Sequence, residues 1–250
     1  MSAAGTDAAR AGREIVRERL QIPCEGETLD AELAYPAQGE PRVSLLLLSP
    51  HPHLGGRMDN NVIRHLATRA AEDGCAVLRF DYRGVGGSSL RLPAGASRYA
   101  HWEAMEATRR YDALLPDARA AGEALRDAAG TLPRRALLGY SLGAILAGMA
   151  AEGVGATHVI GISPPVAKVS LGAFQHCRLP KLFLGGDDDF AFDGERFQEE
   201  FARLPDPRAF RSLPGADHFF RQEEERVYRA LAPFLLGAPE ASRGVPEGSR

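Results

Sequence analysis

The sequence predicts an α/β fold, with an open and mostly parallel central sheet, helices on both faces and an antiparallel hairpin at the N-terminal edge. Three observations carry this expectation. From residue 42 onward strand-like and helix-like stretches take turns, the order that parallel strands joined by right-handed crossovers require. The run "VSLLLL" (43–48) is a near-continuous apolar stretch, as strands buried on both faces are. Ahead of it, "REIVRERLQI" and "TLDAELAY" alternate with period two around "PCEGE", which reads as a hairpin with one face toward solvent.

The remaining elements follow in order. Apolar residues at helical spacing predict a helix from Asp59 to Asp73, and the apolar run "CAVLRFDY" (75–82) predicts the next strand. Helices are expected within 100–129, then the strand "RALLGY" (135–140) and a helix from Leu142 to Glu152. Strands "HVIGIS" (158–163) and "KLFLGG" (181–186) precede a helix from Asp193 to Leu204, the strand "RAFRSLPG" (208–215) and a last helix from Arg221 to Leu236. The ends, 1–13 and 237–250, are small, polar and rich in Gly and Pro, so they are expected to be disordered around one domain over 14–236.

Composition narrows the function classes. A formal net charge of −3, with arginines scattered along the chain, makes nucleic acid a poor partner. The first residues lack the apolar centre of a secretory signal, and "VSLLLLSP" is too short to cross a bilayer, so a cytoplasmic protein without membrane contact is expected. Cys24, Cys75 and Cys177 are odd in number and form no C-x-x-C pattern, which argues against a disulfide framework and a thiolate zinc site.

In open α/β sheets chemistry collects at the carboxyl ends of the strands. There, Gly139-Tyr140-Ser141-Leu142-Gly143 matches G-x-S-x-G between a predicted strand and a predicted helix, the context in which a serine is raised as a nucleophile. A serine hydroxyl needs a base and an acid to orient that base, in the chain order Ser, Asp, His. "GGDDDF" ends one strand and "PGADHFF" the next, offering Asp189, with Asp188 as the alternative, and His218. His65 and His158 lie in helix and strand patterns and are read as structural; His101 and His176 stay open. Oxyanion donors are expected at the N–H of Leu142 and of His53 or Leu54, because Pro52 has none and Gly55 and Gly56 permit close approach. The segment 88–112 has two readings: helices packing their aromatics into the core, or a partial cap whose Tyr99, His101, Trp102, Met105 and Tyr111 wall the substrate, with Tyr140 beside the nucleophile.

Together "SPHPHLGGRMDNNVIRHLA", "VLRFDYRGVGGSS", GYSLG, GGDDD and PGADHFF resemble the α/β-hydrolase superfamily, and more narrowly its small lidless serine hydrolases with an HPHP-type oxyanion loop. The resemblance spans about 14–236 and implies Ser141 as nucleophile, Asp189 as acid, His218 as base and no cofactor. A serine at the elbow, in place of aspartate or cysteine, disfavours haloalkane dehalogenase, epoxide hydrolase and dienelactone hydrolase chemistry, leaving acyl transfer. "SPPVAKVSLGAFQHCRLP" is too short for a cap domain of its own, so the expected substrate is a small or polar ester or thioester. Acyl transfer to another acceptor, ring-forming ester chemistry and a non-catalytic binding scaffold stay open, as does a homodimer. Two minor readings compete: a nucleotide loop in "DYRGVGGSS", which lacks the third glycine and the immediate helix, and a zinc site at His51 and His53, which lacks a third ligand.

Overall fold

The computed structural model describes residues 13–237, so the disorder expected at the two ends falls outside the described residues except for Arg13 and Gly237. The strands are β1 (Ile15–Cys24), β2 (Glu27–Pro36), β3 (Val43–Leu48), β4 (Cys75–Phe80), β5 (Arg134–Tyr140), β6 (His158–Ile162), β7 (Lys181–Gly186) and β8 (Arg208–Leu213). Among the described residues they form one sheet in the order β1-β2-β4-β3-β5-β6-β7-β8. β1 pairs antiparallel with β2, and β2 antiparallel with β4; every other pairing is parallel.

The hairpin is tighter than its sequence suggests. Pro23, Cys24 and Glu27, all expected in the loop, are paired, Pro23 with Thr28 and Cys24 with Glu27, leaving a turn of Glu25 and Gly26 alone. Both turn residues have positive φ, 49° and 81°, the geometry whose twist matches that of the two strands it joins.

Two helical layers cover the sheet. Along β3, Val43, Leu45 and Leu47 pack with α1 (Asn61–Glu72) and α6 (Glu224–Leu236), while Leu46 and Leu48 face the opposite core. That core takes in α2 (Arg98–Thr108), α3 (Leu115–Ala129), α4 (Leu142–Ala150) and, through Phe197, α5 (Gly194–Ala202). Full burial of each such leucine contributes about 1.5–3 kcal/mol, which explains why β3 is apolar at every position but Ser44.

Helix boundaries move for local reasons. α1 starts at Asn61, not Asp59, because the Asn60 side chain accepts from the Val62 and Ile63 N–H groups and caps the first turn. α6 starts at Glu224, not Arg221, because Phe220 and Gln222 hold φ of 48° and 65°, outside the helical region.

His158, at the start of β6, is 2% exposed, and burial pushes its imidazole from 6.5 down to about 4. The unfolded chain therefore binds a proton more readily than the folded one, and stability falls as pH drops from about 6.5 through 4. Urea midpoints measured from pH 7 to 4 should show an acid loss of about 3 kcal/mol that His158→Asn removes.

Candidate active site

The carboxyl ends of β3, β5, β7 and β8 meet around Ser141. This serine sits between β5 and α4 with φ 55° and ψ −116°, a strained backbone for a residue with a Cβ. Its spacing to the flanking glycines is steric. A Cβ at Gly139 would lie 1.8 Å from the Gly143 carbonyl oxygen, and one at Gly143 would lie 2.2 Å from that of Leu48. Only glycine at both positions lets the turn close against β3. The Ser141 N–H donates to Ile162 O at 2.8 Å and pins the elbow to β6.

His218 Nε2 lies 3.0 Å from Ser141 Oγ, and His218 Nδ1 lies 2.8 Å from Asp189 Oδ1. The same Asp189 oxygen accepts from the Ala191 N–H at 2.8 Å. An ionised carboxylate only accepts, so Nδ1 carries the ring proton and Nε2 presents its lone pair to the serine hydroxyl. This arrangement can take a proton from Ser141 during attack and return it to a leaving group. Both partners are buried. Of the neighbouring carboxylates, Asp187 accepts from the Gly215 N–H and Asp188 is exposed. Gly186 permits the meeting of the two loops, since a Cβ there would stand 2.1 Å from Ala216 O.

Beside Ser141 lies a cavity of about 210 Å³ lined by His51, His53, Leu54, Leu142 and Phe190, with Glu106 and Tyr111 on one wall and Pro165, Lys168, Val169 and Ala191 on the other. A larger groove of about 800 Å³, lined by Glu14, Gln38, Arg42 and Asp73 among others, opens at the amino ends of β3 and β4 and holds no nucleophile.

Several expected substrate contacts are placed elsewhere. Tyr140 is buried and its hydroxyl donates to the His218 carbonyl, so it supports the base from beneath and does not line the cavity. Trp102 and Met105, the two buried residues of α2, belong to the core. Trp102 does meet the site indirectly, edge-on to His51 at 5.5 Å. Tyr99 is 62% exposed and stacks on His53 at 4.6 Å, at the rim. His101 stands edge-on to Trp102, and His176 is exposed outside the cavity.

The oxyanion expectation also changes. The turn Pro52–Leu54 folds back on itself, so the His53 N–H donates to His51 Nδ1 at 3.2 Å and the Leu54 N–H to His51 O at 2.8 Å. Neither is free in this structure. Leu142 lines the cavity, and as the first residue of α4 its N–H has no acceptor within the helix.

Glu106, Lys168 and Phe190 line the cavity without having been singled out from the sequence. Phe190 stood next to the acid in "DDDF", the one positional signal among them, and its ring is 4.9 Å from that of His218. Glu106 accepts from the Tyr111 hydroxyl; burial and this carboxylate hold the Tyr111 phenol well above its usual range. Burial pushes the His51 imidazole below its usual value, against the opposing pull of Glu106.

The glycine-rich turn after β4 has a structural explanation. Asp81 accepts from the Met58 N–H at 2.7 Å, and a Cβ at Gly86 would sit 1.8 Å from the other Asp81 carboxylate oxygen. Arg83 pairs with the buried Asp117 at 2.5 Å, tying this turn to α3. Among the described residues no group of three or more His, Cys, Asp or Glu side chains is placed to hold a metal ion, and no helix is long and apolar enough to cross a membrane.

No family model matches the chain. An uncharacterised protein of Rickettsia prowazekii (strain Madrid E) is 28% identical over 200 residues, covering 76% of this chain and 77% of its own. An alpha-beta serine hydrolase homologue from Coxiella burnetii superposes with a TM-score of 0.71 at 25% identity, over 87% of this chain and 97% of its own. An α/β serine hydrolase without lid from Xanthomonas campestris superposes with a TM-score of 0.70 at 23% identity, over 88% and 95%.

Proposed function

The chain is a member of the α/β-hydrolase superfamily, and on that premise we propose that it cleaves a carboxylic ester or thioester of a small substrate through an acyl-enzyme on Ser141. The observation that carries this reading is the unbroken hydrogen-bonded line from Ser141 Oγ through His218 to Asp189. In the first step Ser141 Oγ bonds to the acyl carbon, its proton passes to His218 Nε2, and the carbonyl electron pair moves onto oxygen. Collapse of that intermediate expels the alcohol or thiol, which takes the proton from His218. Water then repeats the sequence on the acyl-enzyme and releases the acid. Asp189 stabilises the imidazolium formed in each half, and the α4 N-terminus at Leu142 favours the developing anion.

The cavity supports a small substrate, since about 210 Å³ lies below the range common for drug-sized ligands. Glu106 and Lys168 give it one acidic and one basic wall residue, which suits a polar acyl or leaving group better than a long alkyl chain. Treatment with a fluorophosphonate should add one phosphonyl group to the wild type, with loss of fluoride, and none to Ser141→Ala, as read by intact-mass spectrometry. A folded wild type that stays unlabelled would favour a non-catalytic binding scaffold instead.

A further inference from the structure

From Pro52 to Arg57 the β3 loop, which lines the cavity beside the nucleophile, has spent its backbone donors. Pro52 has no N–H. Beyond the His53 and Leu54 donors already described, the Gly55 N–H donates to Pro52 O, that of Gly56 to His51 O and that of Arg57 to Gly55 O. A Cβ at Gly56 would stand 1.8 Å from Pro50 O, so the loop is packed tightly against its own start.

What the loop does present is the His51 side chain. It is 7% exposed and lines the same cavity as Ser141 and Leu142. Its Nδ1 accepts the His53 N–H, and a ring nitrogen that accepts carries no proton, so the neutral ring bears its hydrogen on Nε2. That Nε2 is buried with no hydrogen-bond partner among the described residues. The Glu106 carboxylate is 3.7 Å away, beyond hydrogen-bond length, and already accepts from Tyr111. The ring is wedged edge-on between Trp102 at 5.5 Å and His53 at 5.0 Å, and His53 is in turn stacked on Tyr99. A fixed, buried and unpaired donor is destabilising unless something else uses it.

We infer that His51 is a catalytic residue of this site, its Nε2–H donating to the acyl carbonyl oxygen as that oxygen becomes an anion and complementing the Leu142 N–H. The role rests on the acyl-enzyme reading above. It replaces the backbone donor that His53 would have supplied and assigns a function to the first histidine of the His-Pro-His loop. The ring is held in one orientation by the His53 N–H and by the Trp102 and His53 rings, and a fixed donor of this kind favours the transition state over the bound ester.

His51→Asn tests the inference, because Asn Oδ1 can still accept from the His53 N–H while the donor at the ε position is gone. With p-nitrophenyl acetate, kcat should fall about 100-fold with KM within about threefold of wild type. Affinity for a small alkylboronic acid, which forms a tetrahedral anion on Ser141, should fall by a similar factor. An unchanged kcat, or a rise in KM alone, would overturn the role and leave His51 as a loop brace. In the wild type, whatever the variant's stability, the His51 Nε2–H resonance should move downfield when the boronic acid binds; a signal that stays in place overturns the inference as well. Fluorophosphonate labelling of the wild type separates the two readings. If it labels while His51→Asn keeps full kcat, only the His51 role fails; if it does not label, both fail.

Discussion

Ser141→Ala is expected to lower kcat for short acyl esters about 10⁶-fold while leaving the fold unchanged. The size of the effect follows from how the three side chains depend on one another: without Oγ, His218 has no proton to take, and the charge on Asp189 has no imidazolium to stabilise. What survives is the attraction of the α4 N-terminus and the loop donors for a developing anion, which acts on attack by water as well. The substitution removes one oxygen at a position whose φ of 55° is imposed by the neighbouring strands, so alanine inherits the same backbone. Among the described residues, the hydrogen bond to His218 is the one hydrogen bond of the hydroxyl that is lost. Steady-state rates with p-nitrophenyl acetate, alongside thermal melts of both proteins, provide the check. A loss smaller than tenfold with an unchanged melt would mean that another group performs the attack.

Asp189→Ala should lower kcat about 10⁴-fold, whereas Asp188→Ala should leave it within about twofold of wild type. The contrast is stereochemical. Asp189 Oδ1 receives both the His218 Nδ1–H and the Ala191 N–H, so one carboxylate holds the ring tautomer, the ring orientation and the loop that carries it. Removal frees His218 to adopt the other tautomer, whose Nε2 bears a proton and cannot accept one from serine. Asp188 is exposed, and its side chain takes no part in that chain of hydrogen bonds. Equal losses in the two variants would move the acid role to the loop as a whole and away from Asp189.

How far the sequence could be read varies with the range of the interactions involved. The elbow was legible because its constraints are local: a strand, a serine and a helix contiguous in sequence, with glycines two positions to either side. Strand β3 was legible for the same reason, since burial on both faces writes itself into five apolar residues out of six. The hairpin turn was misjudged by three residues, Pro23, Cys24 and Glu27, because Glu-Gly is a weaker sign of a two-residue turn than Asn-Gly, although both of its residues reach positive φ.

By itself the sequence determined the sheet class, the nucleophile turn and the order of acid and base along the chain, since period and spacing are properties of short segments. Tertiary structure alone decided the rest. Choosing Asp189 over Asp188 depends on Gly186 letting the β7 loop close on Ala216, a contact across 30 positions. Sending Trp102 to the core and leaving Glu106 in the wall depends on how α2 is rotated about its own axis, and helical spacing fixes the stripe but not which residues at its margin meet a cavity. The capture of the His53 N–H by His51 is short in sequence, yet it arises from the loop folding back under the packing of Gly56, Trp102 and Tyr99. A donor's direction is settled only when the whole shell around it has closed.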